Sequence, residues 1–534
     1  MRFGEAVTIL LGHFDARCVF GIPGVHTIEM YRGLEDQGIE LFTPRHEQGA
    51  GFMADAYARA TGRPGVCLLV TGPGVLNALT PIAQAWHDSV PVLVIASTAE
   101  DADGRRSPGG LHDTPDVAET LRPYTLFSRT VSSIDEFSDS LVEAHTRWST
   151  ERPRPVFIGI PHGLLSAEVG SPQMPSRPDA PAPAMSPEAV DEFLGRAERS
   201  EAPVVIAGGG CRGHADLLTA FAERLDAPVV LTGNAKSLMA ADHPLNLGVS
   251  LPFASAHELL SRADLTIGIG TELSEVEYLF SGAAPALGRS HVRVDIEEKL
   301  SQSGGSMVTA DAGTFLKAVI DSTESKTAWR RSRSGQHRAA AVRSKLLTDR
   351  MDDDYAPWVA ALESALPEGV LIAADSAQLA YQAQHFLSLP HDSLWMAPYG
   401  LGTLGVGVPM ANGAAVAAPE RPVLALTGDG SSLFTITELA TAADLKRQVT
   451  VVIWNNHGYK EIERAFIDQS VTPTGVRTSA QDYRQIAEGL GGKAESVHSP
   501  EALSDALRRS FASSELRVIV VEAPHPLTVN AESR

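Results

Sequence analysis

Short β-rich runs alternate with longer helical stretches along almost the whole of this 534-residue chain. The runs that read as strands lie at 18–20, 66–71, 91–96, 155–160, 204–207, 229–232, 265–269, 292–295, 370–374, 423–427, 450–454 and 517–521. Helices are predicted between them, for example at 48–60 and 77–87. Such alternation is typical of parallel sheets that carry helices on both faces. The sequence therefore predicts an α/β fold of doubly wound parallel sheets.

Two interruptions divide this alternation into three units. Residues 171–187 contain six prolines and no apolar periodicity, so they read as an extended linker. Residues 326–345 are basic and polar, and we interpret them as a solvated helix that joins two domains. At about 150 residues per domain the length also indicates several domains. We predict domains at 1–170, 188–325 and 350–534.

Charge and cysteine usage limit the kinds of partner. The chain carries 44 basic and 65 acidic residues, a net charge of −21, and the acids are spread along its length. This charge disfavours nucleic acids and anionic membranes, and no apolar run reaches the roughly 18 residues of a membrane span. Cys18, Cys67 and Cys211 are too few and too widely spaced for a disulfide framework or a metal site. We therefore expect a cytoplasmic protein that binds neither membrane nor nucleic acid.

Two polar motifs follow neighbouring predicted strands in the third domain. They are Gly-Asp-Gly at 428–430 and Asn-Asn-His-Gly at 455–458. Ligands of open α/β sheets bind outside the carboxyl ends of the strands, so Asp429 and Asn456 can converge on one point. A carboxylate, an amide oxygen, a backbone carbonyl and water suit Mg²⁺, and the glycines let a diphosphate approach the backbone. The sequence therefore predicts a magnesium and diphosphate site here.

This signature resembles that of the thiamine diphosphate-dependent enzymes, which include acetolactate synthase, pyruvate decarboxylase and benzoylformate decarboxylase. The resemblance covers essentially the whole chain and implies thiamine diphosphate and Mg²⁺ as cofactors. It implies that Asp429, Asn456 and the carbonyl of Gly458 hold the metal. It places Gly428, Gly430, Ser431, Gly458 and Tyr459 at the diphosphate end of the cofactor.

The run GLGTLGVGVP at 400–409 matches the segment beneath the cofactor in this family. By that resemblance Leu404 is the bulky residue that bends the two cofactor rings into a V shape. The carbonyl of Gly402 matches the partner of the 4′-amino group. The bent shape brings a pyrimidine nitrogen close to the reactive carbon of the thiazolium ring, so the cofactor acts as its own base.

The run TPRHEQGAGFMADAYARATGRPGVCLLVTGPGVLNAL at 43–79 resembles the pyrimidine-binding domain of the family, and Glu47 matches its catalytic glutamate. A carboxyl group bonded to the pyrimidine N1′ favours the 4′-imino form, and we expect it to be desolvated so that it can share its proton. In the family this glutamate faces the metal domain of another subunit. The resemblance thus implies an obligate homodimer, commonly paired into a tetramer.

The run VVIAGGGC at 204–211 resembles the glycine turn of the family's central domain. That domain carries FAD in acetolactate synthases and is empty in most decarboxylases. The glycine turn alone leaves both possibilities open.

Two histidines lie in loops that are expected to face the cofactor: His26 in GIPGVHTIEMYRG and His112 in GGLHDTPD. Each is either a catalytic group or a loop residue bonded only to backbone. A proton donor at this position directs the reaction toward an aldehyde instead of attack on a second carbonyl. The segment LHDT resembles the paired-histidine HHT motif of pyruvate decarboxylase-type enzymes, but Asp113 replaces the second histidine. It also differs from acetolactate synthase, which carries Phe-Gln in the matching loop.

Four acids are candidates for contact with the substrate: Glu272, Glu275 and Glu277 in GTELSEVEY, and Glu461 three residues after Gly458. They are either solvated surface charge or partners of a cationic tail, which a guanidinium would supply with bidentate geometry. The combined motifs most resemble 5-guanidino-2-oxopentanoate (2-oxoarginine) decarboxylases. We therefore expect non-oxidative decarboxylation of a small-molecule 2-oxo acid to an aldehyde and CO₂. An acetolactate synthase-like carboligase or lyase is the alternative.

Overall fold

The computed structural model of the protein describes residues 1–100, 108–298, 305–323, 333–346 and 354–523. Three parallel sheets follow one another along the chain, each covered by helices. The predicted α/β class with three doubly wound domains is therefore confirmed. The predicted domain limits at 325, 350 and 534 lie outside the described residues, and those at 170 and 188 stay predictions.

The first domain contains a six-stranded parallel sheet. Its strands are β1 (Cys18–Phe20), β2 (Glu40–Phe42), β3 (Gly65–Leu69), β4 (Val92–Thr98), β5 (Ser128–Thr130) and β6 (Val156–Pro161), in the spatial order β2-β1-β3-β4-β6-β5. Its α-helices are α1 (Phe3–His13), α2 (Ile28–Tyr31), α3 (Glu47–Thr61), α4 (Pro73–Asn77), α5 (Leu79–His87), α6 (Val117–Leu121), α7 (Ile134–Thr150) and α8 (His162–Leu165). Short 3₁₀ helices span Glu35–Gln37 and Arg122–Tyr124. Leu69 and Val94 enter one core while Leu68 and Ile95 enter another, so both faces of the sheet are buried.

The central domain contains a five-stranded parallel sheet. Its strands are β7 (Pro203–Ala207), β8 (Val229–Leu231), β9 (Leu265–Ile269), β10 (His291–Asp295) and β11 (Ser306–Thr309), in the order β11-β10-β9-β7-β8. The α-helices of this part of the chain are α9 (Pro187–Arg199), α10 (Ala215–Leu225), α11 (Ala254–Arg262), α12 (Ala312–Thr323) and α13 (Gly335–Leu346). Short 3₁₀ helices span Gly209–Cys211, Gly233–Ala235, Glu275–Glu277 and Leu279–Ser281.

The third domain contains a second six-stranded parallel sheet. Its strands are β12 (Leu371–Ala374), β13 (Leu394–Met396), β14 (Val423–Gly428), β15 (Val449–Asn455), β16 (Lys493–Val497) and β17 (Leu516–Glu522), in the order β13-β12-β14-β15-β17-β16. Its α-helices are α14 (Ala356–Ala365), α15 (Gln378–Phe386), α16 (Gly407–Ala417), α17 (Asp429–Ser432), α18 (Glu438–Leu445), α19 (Lys460–Asp468), α20 (Tyr483–Gly489) and α21 (Pro500–Phe511).

Helices α3 and α16 join the first domain to the third. Phe52 and Ala56 of α3 are completely buried in the core of the third domain. A Cβ atom at Gly413 of α16 would lie 2.2 Å from the carbonyl oxygen of Met53, so only glycine permits this approach. The contact fixes the orientation of α3, which begins at Glu47.

Two sequence interpretations of the connecting segments have different outcomes. Residues 171–186 form neither helix nor strand, as predicted for the linker. The helix predicted within residues 326–345 is observed over their described part as α13, but it is not fully solvated. Ala339 and Val342 of α13 are buried in a core with Leu260, and Arg338 donates to the Pro203 carbonyl. Because charged side chains dominate this segment, its sequence pattern did not indicate the two buried apolar residues that attach α13 to the central domain.

All twelve predicted strands are observed, whereas β2, β5, β11, β13 and β16 were not predicted. Each of these five lies at an edge of its sheet. The helix predicted at 77–87 is interrupted at Ala78, between α4 and α5. Within the described ranges, none of the helices is both long enough and apolar enough to cross a membrane.

Candidate active site

The predicted metal ligands converge at the carboxyl ends of the neighbouring strands β14 and β15. Asp429 begins α17, is only 2% exposed, and its Oδ2 accepts a 2.7 Å hydrogen bond from the Gly458 N–H. One amide atom of Asn456 lies 3.1 Å from Asp429 Oδ1 and 2.9 Å from the Gly458 carbonyl oxygen. Its other amide atom lies 3.0 Å from Gln378 Oε1. The structure therefore gathers the three groups that the sequence assigns to Mg²⁺.

The chemistry and spacing of these groups fit a magnesium ion. When the Asn456 nitrogen donates to Gln378, the Asn456 oxygen faces two other oxygens. Adjacent ligands of an octahedral Mg²⁺ at about 2.1 Å lie about 3.0 Å apart, which matches the observed 2.9 and 3.1 Å. Burial raises the pKa of the Asp429 carboxyl, so a bound cation would stabilise its charged form. In the other amide orientation, the Asn456 nitrogen would donate to both oxygens.

Glycines in the two motifs allow close packing around this cluster. A Cβ atom at Gly430 would lie 2.6 Å from Tyr459 Cε1, so the tyrosine ring packs directly on the backbone at the start of α17. Gly458 has a φ of +145°, and a Cβ atom there would lie 2.3 Å from the Val476 carbonyl oxygen. Ser431 Oγ accepts a 3.0 Å hydrogen bond from the Gly428 N–H. These contacts fix the two motifs against each other.

Asp375, a residue that sequence reasoning missed, anchors the segment that contains Gly402 and Leu404. It follows β12 directly, is 3% exposed, and accepts hydrogen bonds from the N–H groups of Gly405 and Gly407 at 3.1 and 3.0 Å. Within that segment Leu404 is half-buried and Gly402 is exposed with a φ of +66°. An acidic residue immediately after a buried strand was the available sequence signal.

Gln378, also missed, links the metal cluster to Glu461. It begins α15, and its Oε1 accepts from Asn456 Nδ2 and, at 2.7 Å, from the Tyr355 hydroxyl. Its Nε2 donates to Glu461 Oε2 at 3.2 Å. Glu461 is half-buried in the first turn of α19 and forms no ion pair with any residue that the structure describes. The side chain of Gln378 therefore links Glu461 to the metal cluster.

Glu47 lies at the carboxyl edge of the first sheet as the first residue of α3. His46 caps this helix by accepting the Gln48 N–H, and Asn77 Nδ2 donates to Glu47 Oε2 at 2.9 Å. A Cβ atom at Gly74 would lie 3.5 Å from Glu47 Oε1. The carboxyl group is half-buried, so the expected desolvation is only partial within one chain.

His26 and His112 lie together at the same edge, and the structure adds His162, which sequence reasoning missed. The ring centroids of His26 and His112 are 5.4 Å apart with an edge-to-face geometry. Those of His26 and His162 are 4.7 Å apart. Burial lowers the pKa of His26, and the charges of His162 and His112 lower it further. His162 directly follows β6, which is the same kind of signal that identified Asp429.

The acids of the 272–277 loop line a cavity of about 1000 Å³ where the three domains meet, and Gly402 lines it too. Glu272 forms a 2.9 Å ion pair with Arg152. Glu277 is 9% exposed, its Oε2 accepts a 3.0 Å hydrogen bond from the Gly233 N–H, and burial raises its pKa to about 7. Glu275 is exposed. The loop thus offers an ion-paired acid (Glu272), a buried acid with a raised pKa (Glu277) and an exposed acid (Glu275).

Comparison with protein families agrees with this arrangement. Family models for the thiamine pyrophosphate enzymes match in chain order: the N-terminal TPP binding domain at residues 1–119, the central domain at 190–319 and the C-terminal TPP binding domain at 375–521. Thiamine pyrophosphate is the same compound as thiamine diphosphate. The chain belongs to the thiamine pyrophosphate enzyme family and is a thiamine pyrophosphate-dependent enzyme.

Several curated proteins resemble the chain over nearly its full length. It is 36% identical to a probable 2-ketoarginine decarboxylase of Pseudomonas aeruginosa, over 97% of the chain and 93% of that protein. It is 28% identical to the large subunit of acetolactate synthase isozyme 1 of Escherichia coli, over 91% of the chain and 88% of that protein. A probable acetolactate synthase large subunit of Methanocaldococcus jannaschii is 27% identical over 96% of the chain and 90% of that protein.

Proposed function

We propose that this enzyme decarboxylates a 2-oxo acid with a long cationic side chain, such as 2-oxoarginine (2-ketoarginine), to the aldehyde and CO₂. The observation that carries this proposal is the 36% identity, over 97% of the chain, to a protein named a probable 2-ketoarginine decarboxylase. The histidine cluster at the same edge of the first sheet as Glu47 supports it, because a proton donor near the reacting carbon favours release of an aldehyde.

Each cluster of side chains has a distinct role in this proposal. Bound thiamine diphosphate supplies the carbon nucleophile and accepts the electrons that CO₂ leaves behind. Asp429, Asn456 and the Gly458 carbonyl hold the Mg²⁺ that binds the diphosphate. Glu47 exchanges a proton with the pyrimidine N1′. His26 and His112 donate a proton to the carbon from which CO₂ has left. The remaining predicted cofactor residues line the cleft that holds the cofactor.

Among the four candidate acids, Glu461 is best placed to receive a guanidinium group. Its carboxylate is half-buried, it lacks an ion-pair partner in the described part of the chain, and Gln378 holds it beside the metal cluster. Glu272 already pairs with Arg152, and Glu277 is bonded to backbone. A planar guanidinium would pair with Glu461 through two charge-assisted hydrogen bonds.

Substrate preference tests this assignment. We expect the wild type to prefer 2-oxoarginine over the uncharged 2-oxohexanoate, as measured by kcat/KM from coupled aldehyde detection. Loss of a charge-assisted pair worth roughly 1.5–3 kcal/mol should make Glu461→Gln lose about tenfold to a hundredfold of that preference.

Glu463→Gln is the matched control, because Glu463 lies on the same helix but pairs with Lys460 at 2.6 Å. It should keep the preference. Gln substitutions of Glu272, Glu275 and Glu277 complete the set. If one of these erases the preference and Glu461→Gln does not, the tail binds in the central cavity. A wild type that prefers 2-oxohexanoate would disprove the cationic substrate.

Acetolactate synthase-like carboligation or lyase activity is a second candidate, because acetolactate synthases are among the full-length relatives. Incubation with pyruvate alone separates the two functions. Formation of acetolactate would favour the carboligase, whereas decarboxylation of 2-oxoarginine without a ligation product would favour the decarboxylase.

The proposal includes an assembly and a location. We propose a homodimer, paired into a tetramer, in which Glu47 of one subunit faces the metal cluster of the other. The exposed apolar side chains of Phe434, Ile462 and Ile467, near that cluster in sequence, support a covered face. A cytoplasmic location is supported by Cys18, Cys67 and Cys211, which are buried free thiols.

A further inference from the structure

His162 lies in a cluster of three histidines drawn from three separate segments of the first domain. It is the first residue of α8, immediately after β6, and its side chain is exposed. His26 and His112 come from two loops and are half-buried. The His26 ring lies between the other two, with centroids 4.7 Å from His162 and 5.4 Å from His112. The cluster therefore extends from the surface inward.

Local backbone contacts hold the two inner histidines in place. The Thr27 hydroxyl accepts the Gly24 N–H at 2.9 Å and closes the turn that carries His26. His112 has a φ of +61°, and a Cβ atom at Gly72 would lie 2.7 Å from the His112 carbonyl oxygen, so the glycine permits this loop to approach β3. His26 Nδ1 is buried and has no hydrogen-bond partner among the described residues. A buried imidazole nitrogen in this condition needs a partner that arrives with substrate, cofactor or water.

We propose that His162 is the outer member of a proton path, His162 to His26 to His112, that carries protons from solvent to the reacting carbon. No hydrogen bond joins these described rings directly, but at centroid separations of 4.7 and 5.4 Å a bridging water molecule can carry a proton from one ring to the next. The outer ring contacts solvent, and the inner rings lie on the same edge of the first sheet as Glu47.

This inference rests on the proposed decarboxylation, which needs one proton in each turnover. A 2-oxo acid anion plus one proton gives an aldehyde plus CO₂, because the bond to the carboxylate breaks and a C–H bond replaces it. The proton comes from an inner histidine. His26 passes a proton inward, His162 replaces it, and solvent water restores His162. No electron leaves or enters.

The electrostatics of the cluster favour transfer of a proton through His26 over retention of the proton on His26. The titratable groups whose charges act on His26 are His162 and His112, and both lower its pKa in addition to the effect of burial. A proton that arrives on His162 therefore makes His26 more ready to release its own. The lowered pKa of His26 favours release of a proton over its retention, as a relay member requires.

Kinetics of His162→Ala test the path. We expect aldehyde release from 2-oxoarginine to fall about tenfold in dilute buffer, since water replaces an outer acid–base group poorly. Added imidazole should restore the rate in His162→Ala, because the site is open to solvent. His391→Ala is the matched control, as His391 is 80% exposed and lies in the third domain, and it should show neither loss nor rescue.

A second measurement needs neither cofactor nor substrate. In cofactor-free protein with ¹³C-labelled histidine, NMR titration should show that the pKa of His26 rises in His162→Gln, because a neighbouring positive charge is removed. Unchanged titration of His26, or a rate in His162→Ala that equals the wild type, would overturn the path. If the wild type forms no aldehyde from any 2-oxo acid, the proposed function fails instead, and the NMR titration still decides whether the histidines are coupled.

Discussion

Asp429 and Glu47 are carboxylates that each begin a helix, yet their surroundings suit them to different tasks. Asp429 is 2% exposed and is held by the Gly458 N–H, and burial raises its pKa. A neighbouring cation would stabilise the charged form of such a group. Glu47 is half-buried and accepts one hydrogen bond from Asn77, so it remains free to exchange a proton. The first environment suits metal binding and the second suits acid–base chemistry.

The metal assignment predicts loss of cofactor binding. Asp429→Ala and Asn456→Ala should each abolish high-affinity, Mg²⁺-dependent binding of thiamine diphosphate, because these residues would hold the ion that attracts the diphosphate. Isothermal titration calorimetry measures the effect. Asp505→Ala, at an exposed site on α21, should bind like the wild type. An unchanged dissociation constant in either test variant would show that these residues do not hold the metal.

The role of Glu47 predicts a different result. Glu47→Gln should keep the fold and bind the cofactor but lose at least about a hundredfold in activity, the usual scale for removal of a positioned acid–base group. Deuterium exchange at the thiazolium C2 of the bound cofactor, followed by NMR, locates the defect. Exchange at the wild-type rate would mean that Glu47 does not promote loss of the C2 proton.

Burial of Glu277 predicts a pH-dependent stability difference. Its folded pKa is raised from 4.5 to about 7, so its neutral form stabilises the fold below about pH 4.5 and this contribution is lost as the pH rises toward 7. The loss is about 3 kcal/mol at about 1.4 kcal/mol per pKa unit. Glu277→Gln should therefore melt several degrees above the wild type at pH 8 and equally near pH 4.5.

Glu275→Gln is the control for that comparison, since Glu275 is exposed on the same 3₁₀ helix. Differential scanning fluorimetry of the three proteins from pH 4.5 to pH 8 gives the result. A constant difference between Glu277→Gln and the wild type would show that Glu277 does not titrate in this range.

At the scale of helices and strands, apolar runs identified the interior of each sheet but missed most edges. Central strands are buried on both faces and read as continuous apolar runs, as in Val449–Asn455. The missed edge strands are short or polar: Glu40–Phe42, Ser128–Thr130 and Lys493–Val497 each contain a charged side chain that is exposed or half-buried. Charge on an edge strand prevents pairing with other chains, so the same property conceals the strand from a hydrophobicity pattern.

The rule that polar residues after strands form the site was sound but was applied too narrowly. It identified Asp429 and Asn456, and it applies equally to Asp375 after β12 and His162 after β6. The local sequence pattern could not show whether the acids of the 272–277 loop are ion-paired or solvated. Glu272 forms an ion pair with Arg152, which is 120 residues away in the chain, and only the folded structure brings them together.

For the whole molecule, a polar network around the buried Arg59–Asp88 ion pair fixes the three domains relative to one another. Asp88 of the first domain accepts the Gly400 N–H of the third domain at 2.9 Å. Arg59 pairs with Asp88 and donates to Asn234 of the central domain, both at 2.9 Å. The Gly400 contact lies two residues from Gly402. The position of the cofactor segment thus depends on the junction of all three domains.

If each active site is shared between two subunits, as proposed, two inactive variants should complement each other. Glu47→Gln and Asp429→Ala can be co-expressed with different affinity tags, and the mixed dimer isolated by two successive purifications. If each site combines Glu47 of one chain with Asp429 of the other, the mixed dimer contains one site with both substitutions and one site with neither. It should then recover about half of the wild-type activity per dimer, whereas both parent dimers stay inactive. An inactive mixed dimer that still binds thiamine diphosphate would show that each chain builds its site alone.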